Sequence, residues 1–340
     1  MILNMKKNLV LLSMVLCFFV AVNAQQQAVV LPKKTFAVKE ICKTPWDNPK
    51  GLSYKKVAGA NLGVASFEVM DKKRVAYLSD AVDEIIIADK VTGQALSRFV
   101  VVAAPRDFVY DKNNFYVLYE NNVLVYDEKG KVVKTLQYPN TIVGVARLAR
   151  YNNGTYLLLP SGNCVQIENA GALIVEKHVG WITEVGNFVS GKLSGANSYL
   201  IQVSDASGKK YEKIFSTTLK AAGVYVVGAN QNRLVLDVQT YVSESPIQVE
   251  RHIVSIELNA QGLGDVVSDI KTPDCYYVLS NKEVALATDG SVLEMVTAPQ
   301  GIMLFSLTET GDEKASSYPA ELRTMKYHFN DHLVQTNGQK

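Results

Sequence analysis

Asp107–Gln137, DFVYDKNNFYVLYENNVLVYDEKGKVVKTLQ, decides the fold of this 340-residue chain. It reads as four short strands, Asp107–Tyr110, Phe115–Glu120, Val123–Asp127 and Lys131–Gln137. Val, Tyr, Phe and Leu fill them, side chains that suit a pleated, half-buried surface. The turns between them, at Asp111–Asn114, Asn121–Asn122 and Asp127–Gly130, supply Asn, Asp or Gly. Those residues accept the positive φ that a hairpin needs.

The unit recurs. A Tyr followed by aliphatic residues marks its second strand: Tyr77 in VAYLS, Tyr116 in FYVLY, Tyr156 in TYLLLP and Tyr199 in SYLIQV, about forty residues apart. Tyr277 in YYVLS lies about two periods further on, with RLVLDV around Val235 between. FYVLYENNVLVYDEKGKVV, from Phe115, also aligns with YYVLSNKEVALATDGSVLE, from Tyr276. A period near forty with four strands per unit is the signature of propeller blades. One small sheet cannot bury both its faces, so neighbours must stack, and a ring lets every sheet do so. A tandem of β-sandwiches is the rival reading, and it does not predict so even a period.

The first strands are expected to begin near Ala65, Asp107, Val145, Asn187, Val224 and Val266, which makes six regular blades of an all-β propeller. Strands are left over at both ends. Ser53–Ala58 occupies an outer-strand position, and Ile302–Leu307 (IMLFSL) follows the sixth blade. Arg323–Phe329 and His332–Thr336 could form a hairpin. Together these predict a composite seventh blade closed by N- and C-terminal strands, which would remove the exposed edges of an open ring. A six-blade ring with loose ends is the alternative. The domain reading is a signal peptide over 1–24, an N-terminal extension over 25–52 and a propeller over 53–340.

Met1–Ala24 has the form of a secretory signal: Lys6 and Lys7, an apolar run Leu9–Val22, and Val22-Asn23-Ala24 at the cleavage site. The run is too short to cross a bilayer, and no other long apolar run follows, so the expectation is an exported protein with no membrane span. With 35 basic and 33 acidic residues the formal net charge is +2. That balance gives no electrostatic footprint for nucleic acid.

Three cysteines, Cys42, Cys164 and Cys275, lie beyond the signal. Cys164 reads as a buried residue of the third blade. A ring brings the extension and the last regular blade together, so Cys42–Cys275 is the one disulfide the fold favours. No Cys-x-x-Cys pair, Gly-x-Ser-x-Gly motif or phosphate-binding glycine loop is present. His328 and His332 flank a turn and lack the Glu of a metalloprotease motif, and His178 and His252 are isolated. The Asp- and Gly-containing turns at Asp89, Asp127, Asp205 and Asp289 lack the alternating ligands of a calcium loop. No cofactor is expected.

Blade-to-blade loops and the loops between second and third strands share one face of a propeller. Trp181 (in HVGWITE), Arg106, Tyr138, Asp80 and Tyr241 fall in such loops and are the candidate binding residues. Aromatic and Arg side chains are the usual anchors of interfaces. Trp181 either serves that role or packs between blades. The other tryptophan, Trp46, sits in the extension and would fasten it to the ring.

EIIIADKVTGQALSRF (Glu84–Phe99) and NVLVYDEKGKVVKTL (Asn122–Leu136) resemble the third-strand, turn and fourth-strand elements of the propeller superfamily that includes the NHL, YncE-like and TolB-like proteins. The resemblance spans most of Ser53–Thr297 and concerns fold. It implies a binding ring. Its lactonases and lyases place acidic, Asn or His ligands around the central channel, a set not matched here. The expected function is therefore a non-enzymatic exported propeller binding a protein or glycan at the cell envelope. A channel-centred, metal-dependent hydrolase or lyase is the alternative.

Overall fold

The structure, a computed structural model, describes residues 34–46, 51–57, 60–259, 262–278, 280–287, 289–311 and 317–324. Antiparallel four-stranded sheets follow one another along the chain. The first comprises Val64–Val69, Arg74–Ser79, Glu84–Asp89 and Ala95–Val100, and the second Asp107–Asp111, Asn114–Leu118, Asn122–Asp127 and Val132–Gln137. The third runs over Arg147–Tyr151, Gly154–Leu158, Asn163–Asn169 and Ala172–Val179. The fourth is Trp181–Ile182, Phe188–Gly195, Ser198–Ser204 and Lys210–Ser216. The fifth is Lys220–Ala229, Arg233–Glu244, Ile247–Asn259 and Gly262–Lys271. The first strand of each sheet lies innermost and meets its neighbour's, except at blade four, where the second strand, Phe188–Gly195, contacts the inner strand of blade five and the short Trp181–Ile182 contacts Asn163–Asn169 of blade three. The fold is a β-propeller.

Local turn chemistry sets these sheets. Lys112 and Asn113 both have positive φ, as do Asn152 and Asn153 at the equivalent turn of the next blade. This is the backbone that joins two strands tightly with the right twist. Apolar side chains of neighbouring sheets then close each seam. Leu78 and Ile85 pack in one cluster with Phe108 and Phe115, and Leu118 and Val123 in another with Leu148 and Leu157. Each fully buried large side chain contributes about 1.5–3 kcal/mol.

The ring is closed by a composite sheet, as the leftover strands suggested, but by other partners. Among the described residues it is the sixth sheet, with Val284–Leu286, Val292–Ala298 and Gly301–Thr310 followed by the N-terminal strand Thr35–Pro45 as its outer edge. Ile302–Leu307 thus belongs to the third strand of the sixth blade, not to a seventh. Lys55–Val57 pairs with Ala60–Leu62 as a separate hairpin. The span read as an N-terminal extension supplies a structural strand because Phe36, Cys42 and Thr44 turn inward and are buried. Gly93, in the last turn of the first blade, lets this strand dock: a Cβ there would lie 2.3 Å from the Lys43 carbonyl. Thr44 Oγ1 in turn donates to the Gly93 carbonyl at 2.9 Å. Trp46 Nε1 donates to the Ala298 carbonyl at 2.7 Å, which fastens the strand's exit to the sixth blade.

The Tyr register holds for three blades and then drifts. Tyr77, Tyr116 and Tyr156 occupy second strands, but Tyr199 lies on a third strand, and Tyr276 and Tyr277 precede the sixth inner strand. The inner strand of blade four is only Trp181–Ile182, so the strand expected near Asn187 is the second. Val266 falls on the outer strand of blade five. Arg323 lies in a short helix, Ala320–Thr324. The signal reading, 325–329 and the His332–Thr336 strand lie outside the described residues.

Candidate functional site: a cavity on the loop face

Blade-to-blade loops and second-to-third-strand loops frame a cavity of about 1190 Å³. Arg106, at the entry to blade two, lines it, as do Arg147 at the start of the third inner strand and Trp181 in the fourth. The fifth blade contributes Tyr225 and the hairpin residues Asp237, Ile247 to Val249 and Arg251, and the approach to the sixth blade contributes Tyr276 and Ser280 to Val284.

Its floor is charged. Arg251 is clamped between Asp237, at 2.6 Å, and Glu283, and its guanidinium lies 5.7 Å from the Tyr276 ring centroid. Burial works against the Arg251 charge, yet the two carboxylates hold its pKa above the ordinary arginine value. Burial raises Glu283 despite Arg251. Lys282 pairs with Glu68, whose carboxyl burial raises while Lys282 opposes it. Asp107 is spent within the ring: Oδ1 accepts the Ser66 hydroxyl at 2.6 Å and Oδ2 the Leu148 N–H at 2.9 Å.

Arg147 and Arg106 differ from these. The Arg147 guanidinium lies 5.6 Å from the Trp181 ring centroid, and its Nε is buried with no hydrogen-bond partner. Arg106 lies 3.8 Å from Glu120, with the two side chains 41% and 78% exposed. A pair so open to water contributes little.

Of the five residues picked from the sequence, Trp181 and Arg106 come together on the cavity wall. Trp181 is both packed and placed: it belongs to an inner strand rather than a loop, is mostly buried, and its Nε1 donates to the Leu159 carbonyl at 3.0 Å. Tyr138 is buried, its hydroxyl donating to the Tyr119 and Glu120 carbonyls, so its role is to brace the loop. Asp80 accepts the Gly63 N–H at 2.9 Å, and burial raises its carboxyl. Tyr241 lies within a strand, not a loop, opposite Val249, with the Lys220 ammonium 5.6 Å from its ring centroid. Sequence reading missed Arg147, Arg251, Asp237 and Glu283. Their only signal was a charge set inside an apolar strand or at its edge, as in RLVLDVQ and VERHIVSIE.

The expected Cys42–Cys275 bridge is not formed. Cys42, Cys164 and Cys275 are free and buried. Cys42 packs with Val64, Phe67 and Tyr77, whereas Cys275 belongs to a separate cluster with Ile253 and Ile270, its thiol donating to the Thr297 carbonyl at 3.1 Å. Among the described residues no three His, Cys, Asp or Glu side chains gather as a metal-binding set, and no helix is long and apolar enough to cross a membrane.

No known family model matches the chain, and no curated protein matches it in sequence. Solved structures resemble the chain at low identity and with TM-scores below 0.5. Hydrazine synthase of Kuenenia stuttgartiensis is 14% identical over 68% of this chain and 72% of its own, with a TM-score of 0.44. Glutaminyl cyclase of Myxococcus xanthus is 12% identical, covering 82% and 98%, at 0.41. The Pan2 WD40 domain of Neurospora crassa is 11% identical, covering 82% and 97%, at 0.45.

Proposed function

We propose that this chain is an exported, non-enzymatic propeller that binds a protein partner at the cell envelope through the cavity face. One observation carries the reading. The second and third strands of the fifth blade, Arg233–Glu244 and Ile247–Asn259, have 12 and 13 residues, against 5 to 7 in the first three blades. At about 3.3 Å per residue this carries the hairpin tip roughly 15–20 Å further. At the tip Val242 and Ile247 are 53% and 73% exposed, beside a cavity walled by Trp181 and Arg106. A projecting apolar tip next to a recessed Trp and Arg offers a partner both a buried anchor and a rim. Rings of this kind often serve as protein-binding scaffolds, which supports the reading by fold-level analogy. Export rests on the sequence of Met1–Ala24. No donor set among the described residues favours the metal-dependent hydrolase or lyase.

The test is a photo-crosslinking residue at Ile247, with Val91 on the first blade's outer turn as control. One discrete protein adduct at the envelope from Ile247, identified by mass spectrometry and absent from Val91, is the expected outcome. No adduct, or the same adducts from both positions, would overturn the reading.

A further inference from the structure

Resting on the protein-binding reading, we infer that the cavity corner formed by Arg147, Trp181 and Arg106 is a receptor for a carboxylate on an acidic segment of the partner polypeptide. Arg147 opens the third inner strand, paired with Leu158, so the backbone fixes its root. Its guanidinium faces the Trp181 ring, and that ring is anchored through Nε1 to Leu159. A guanidinium backed by an indole is held as a flat fork, the shape that meets a carboxylate in two parallel hydrogen bonds. The protein leaves that fork incompletely used, since the buried Nε has no partner. A buried donor left unpaired is costly.

Among the described residues no carboxylate bonds this Nε, although Arg147 is close enough to Glu68 to favour its charged form. Asp107 has both oxygens engaged by Ser66 and Leu148. Glu68 is paired with Lys282, and Asp237 and Glu283 are paired with Arg251. Arg106 adds a second, largely solvated guanidinium on the same wall. Val145, Val226 and Val249 also line the cavity, apolar surface suited to the methylenes of a Glu side chain or to a neighbouring aliphatic residue. Charge that steers and apolar surface that holds is the combination an acidic peptide would meet.

The test titrates the full-length mature protein with a hexaglutamate peptide at low salt, read by tryptophan fluorescence and calorimetry, with hexaglutamine and polygalacturonate as comparisons. Saturable binding of hexaglutamate is expected, with hexaglutamine silent. Losing one charge-assisted fork should weaken it about tenfold in Arg147→Gln, and losing the solvated Arg106 about threefold in Arg106→Gln. Arg98→Gln, on the outer strand of the first blade, should bind as wild type. Arg106 is exposed, so its variant keeps the test open if Arg147→Gln folds poorly. Equal binding of hexaglutamine, unchanged affinity in both cavity variants, or no saturable binding would overturn the assignment. Tighter binding of polygalacturonate through the same arginines would overturn the peptide in favour of an acidic glycan. An Ile247 adduct undiminished in Arg147→Gln, with no hexaglutamate binding, would sink the carboxylate corner and leave the protein-binding reading standing. Hexaglutamate binding without any Ile247 adduct would do the reverse.

Discussion

Cys42 of the N-terminal strand stands directly opposite Leu304 of the strand that completes the sixth blade. The pairing runs without interruption of direction from Thr35–Thr310 to Pro45–Gly301, with one irregularity between Glu40 and Cys42. The ring is thus held shut by hydrogen bonds between the two ends of the chain, and the strand that does it also docks on Gly93 of the first blade.

Stability of the whole ring should therefore depend on this strand. Phe36 is 1% exposed and shares a cluster with Phe305. Phe36→Ala is expected to cost about 3–5 kcal/mol through lost burial and the cavity left behind. At roughly 2–4 °C per kcal/mol for a domain of this size, the thermal midpoint should fall by about 10 °C. A chain beginning at Gly51 should lose more and aggregate, because Gly301–Thr310 becomes an apolar open edge. Midpoints within a degree or two of the intact protein would show that the ring closes by other means.

The seam between the second and third blades holds a buried ion cluster whose disruption should be costly. Arg150, only 6% exposed in its side chain, donates to Asp111 at 3.1 Å and to Glu168 at 2.8 Å, and lies 4.1 Å from the Tyr116 ring centroid. Lys134 and the Thr155 hydroxyl also reach Glu168, whose carboxyl is held below its usual range by these partners against the effect of burial. Arg150→Ala leaves Glu168 with Lys134 and the Thr155 hydroxyl and Asp111 without its cation, and is expected to destabilise by about 3 kcal/mol. Arg150→Met with Glu168→Gln should recover much of the loss, since the most deeply buried charge of each sign is then gone and the Asp111 and Lys134 left behind are partly open to water. Urea unfolding of the two variants checks this; equal stability of both with wild type would remove the cluster from the seam's energetics.

The blades most legible in the sequence are those built from local signals. Asp111–Asn114 announces its turn through Asp and Asn, and the positive φ values at Lys112 and Asn113, repeated at Asn152 and Asn153 in the next blade, are the physical content of that signal. Blade four was misregistered because Trp181–Ile182 is too short to leave an alternating pattern, so Phe188–Gly195 took its place. The closing strand TFAVKEICKTP is hard to read because its partner lies far along the chain and its fully buried side chains, Phe36, Cys42 and Thr44, do not alternate evenly. At the site, Trp181 and Arg106 stood out as a rare aromatic and a loop arginine. Arg147 and Arg251 did not, because a charge within a strand ordinarily means a solvated face, and only the ring's closure turns theirs toward the cavity.

The three thiols should be inert in the native protein. Burial pushes Cys42 and Cys275 up to about 11 and Cys164 up to about 12, so almost no thiolate exists at neutral pH. Alkylation of the protein without residues 1–24 by iodoacetamide at pH 8 is expected to be negligible within an hour in buffer and complete in 6 M guanidinium, three adducts per chain. The same count without prior reduction would follow from free thiols. An adduct count that rises only after reductant would restore a disulfide.

Stability should fall as the pH rises from about 5 to 7.5, Glu294 contributing alongside Glu68, Asp80, Glu184 and Glu283, whose carboxyls burial also raises. Glu294 lies on the second strand of the sixth blade, is buried, and accepts the Tyr318 hydroxyl. Burial raises its carboxyl from 4.5 to about 7, while Tyr318 and Arg251 pull the other way and Glu283 adds to the rise. The folded protein therefore keeps a proton that the unfolded chain gives up above about pH 4.5. The stability this contributes is full below that value, declines through the window, and is gone above about pH 7. Integrated from pH 5 to 7.5, the loss is roughly 2 kcal/mol. His252 acts with the same sign: burial lowers its pKa, but Asp269 and Glu250 outweigh burial and raise it, so its contribution also fades as pH climbs. Glu168, Glu250 and Glu309 are held low by their cationic and hydrogen-bonding partners, against burial, and weaken the fold only on acidification through the carboxylate range. Their effect therefore lies mainly below the window. Glu294→Gln keeps the shape and removes the titration, so its unfolding free energy should fall by roughly 2 kcal/mol less between pH 5 and 7.5 than that of wild type. Urea unfolding at pH 5, 6, 7 and 7.5 measures both profiles. Parallel profiles for the two proteins would show that Glu294 is already ionised in the folded ring and that its hydrogen bond with Tyr318 outweighs the cost of its burial.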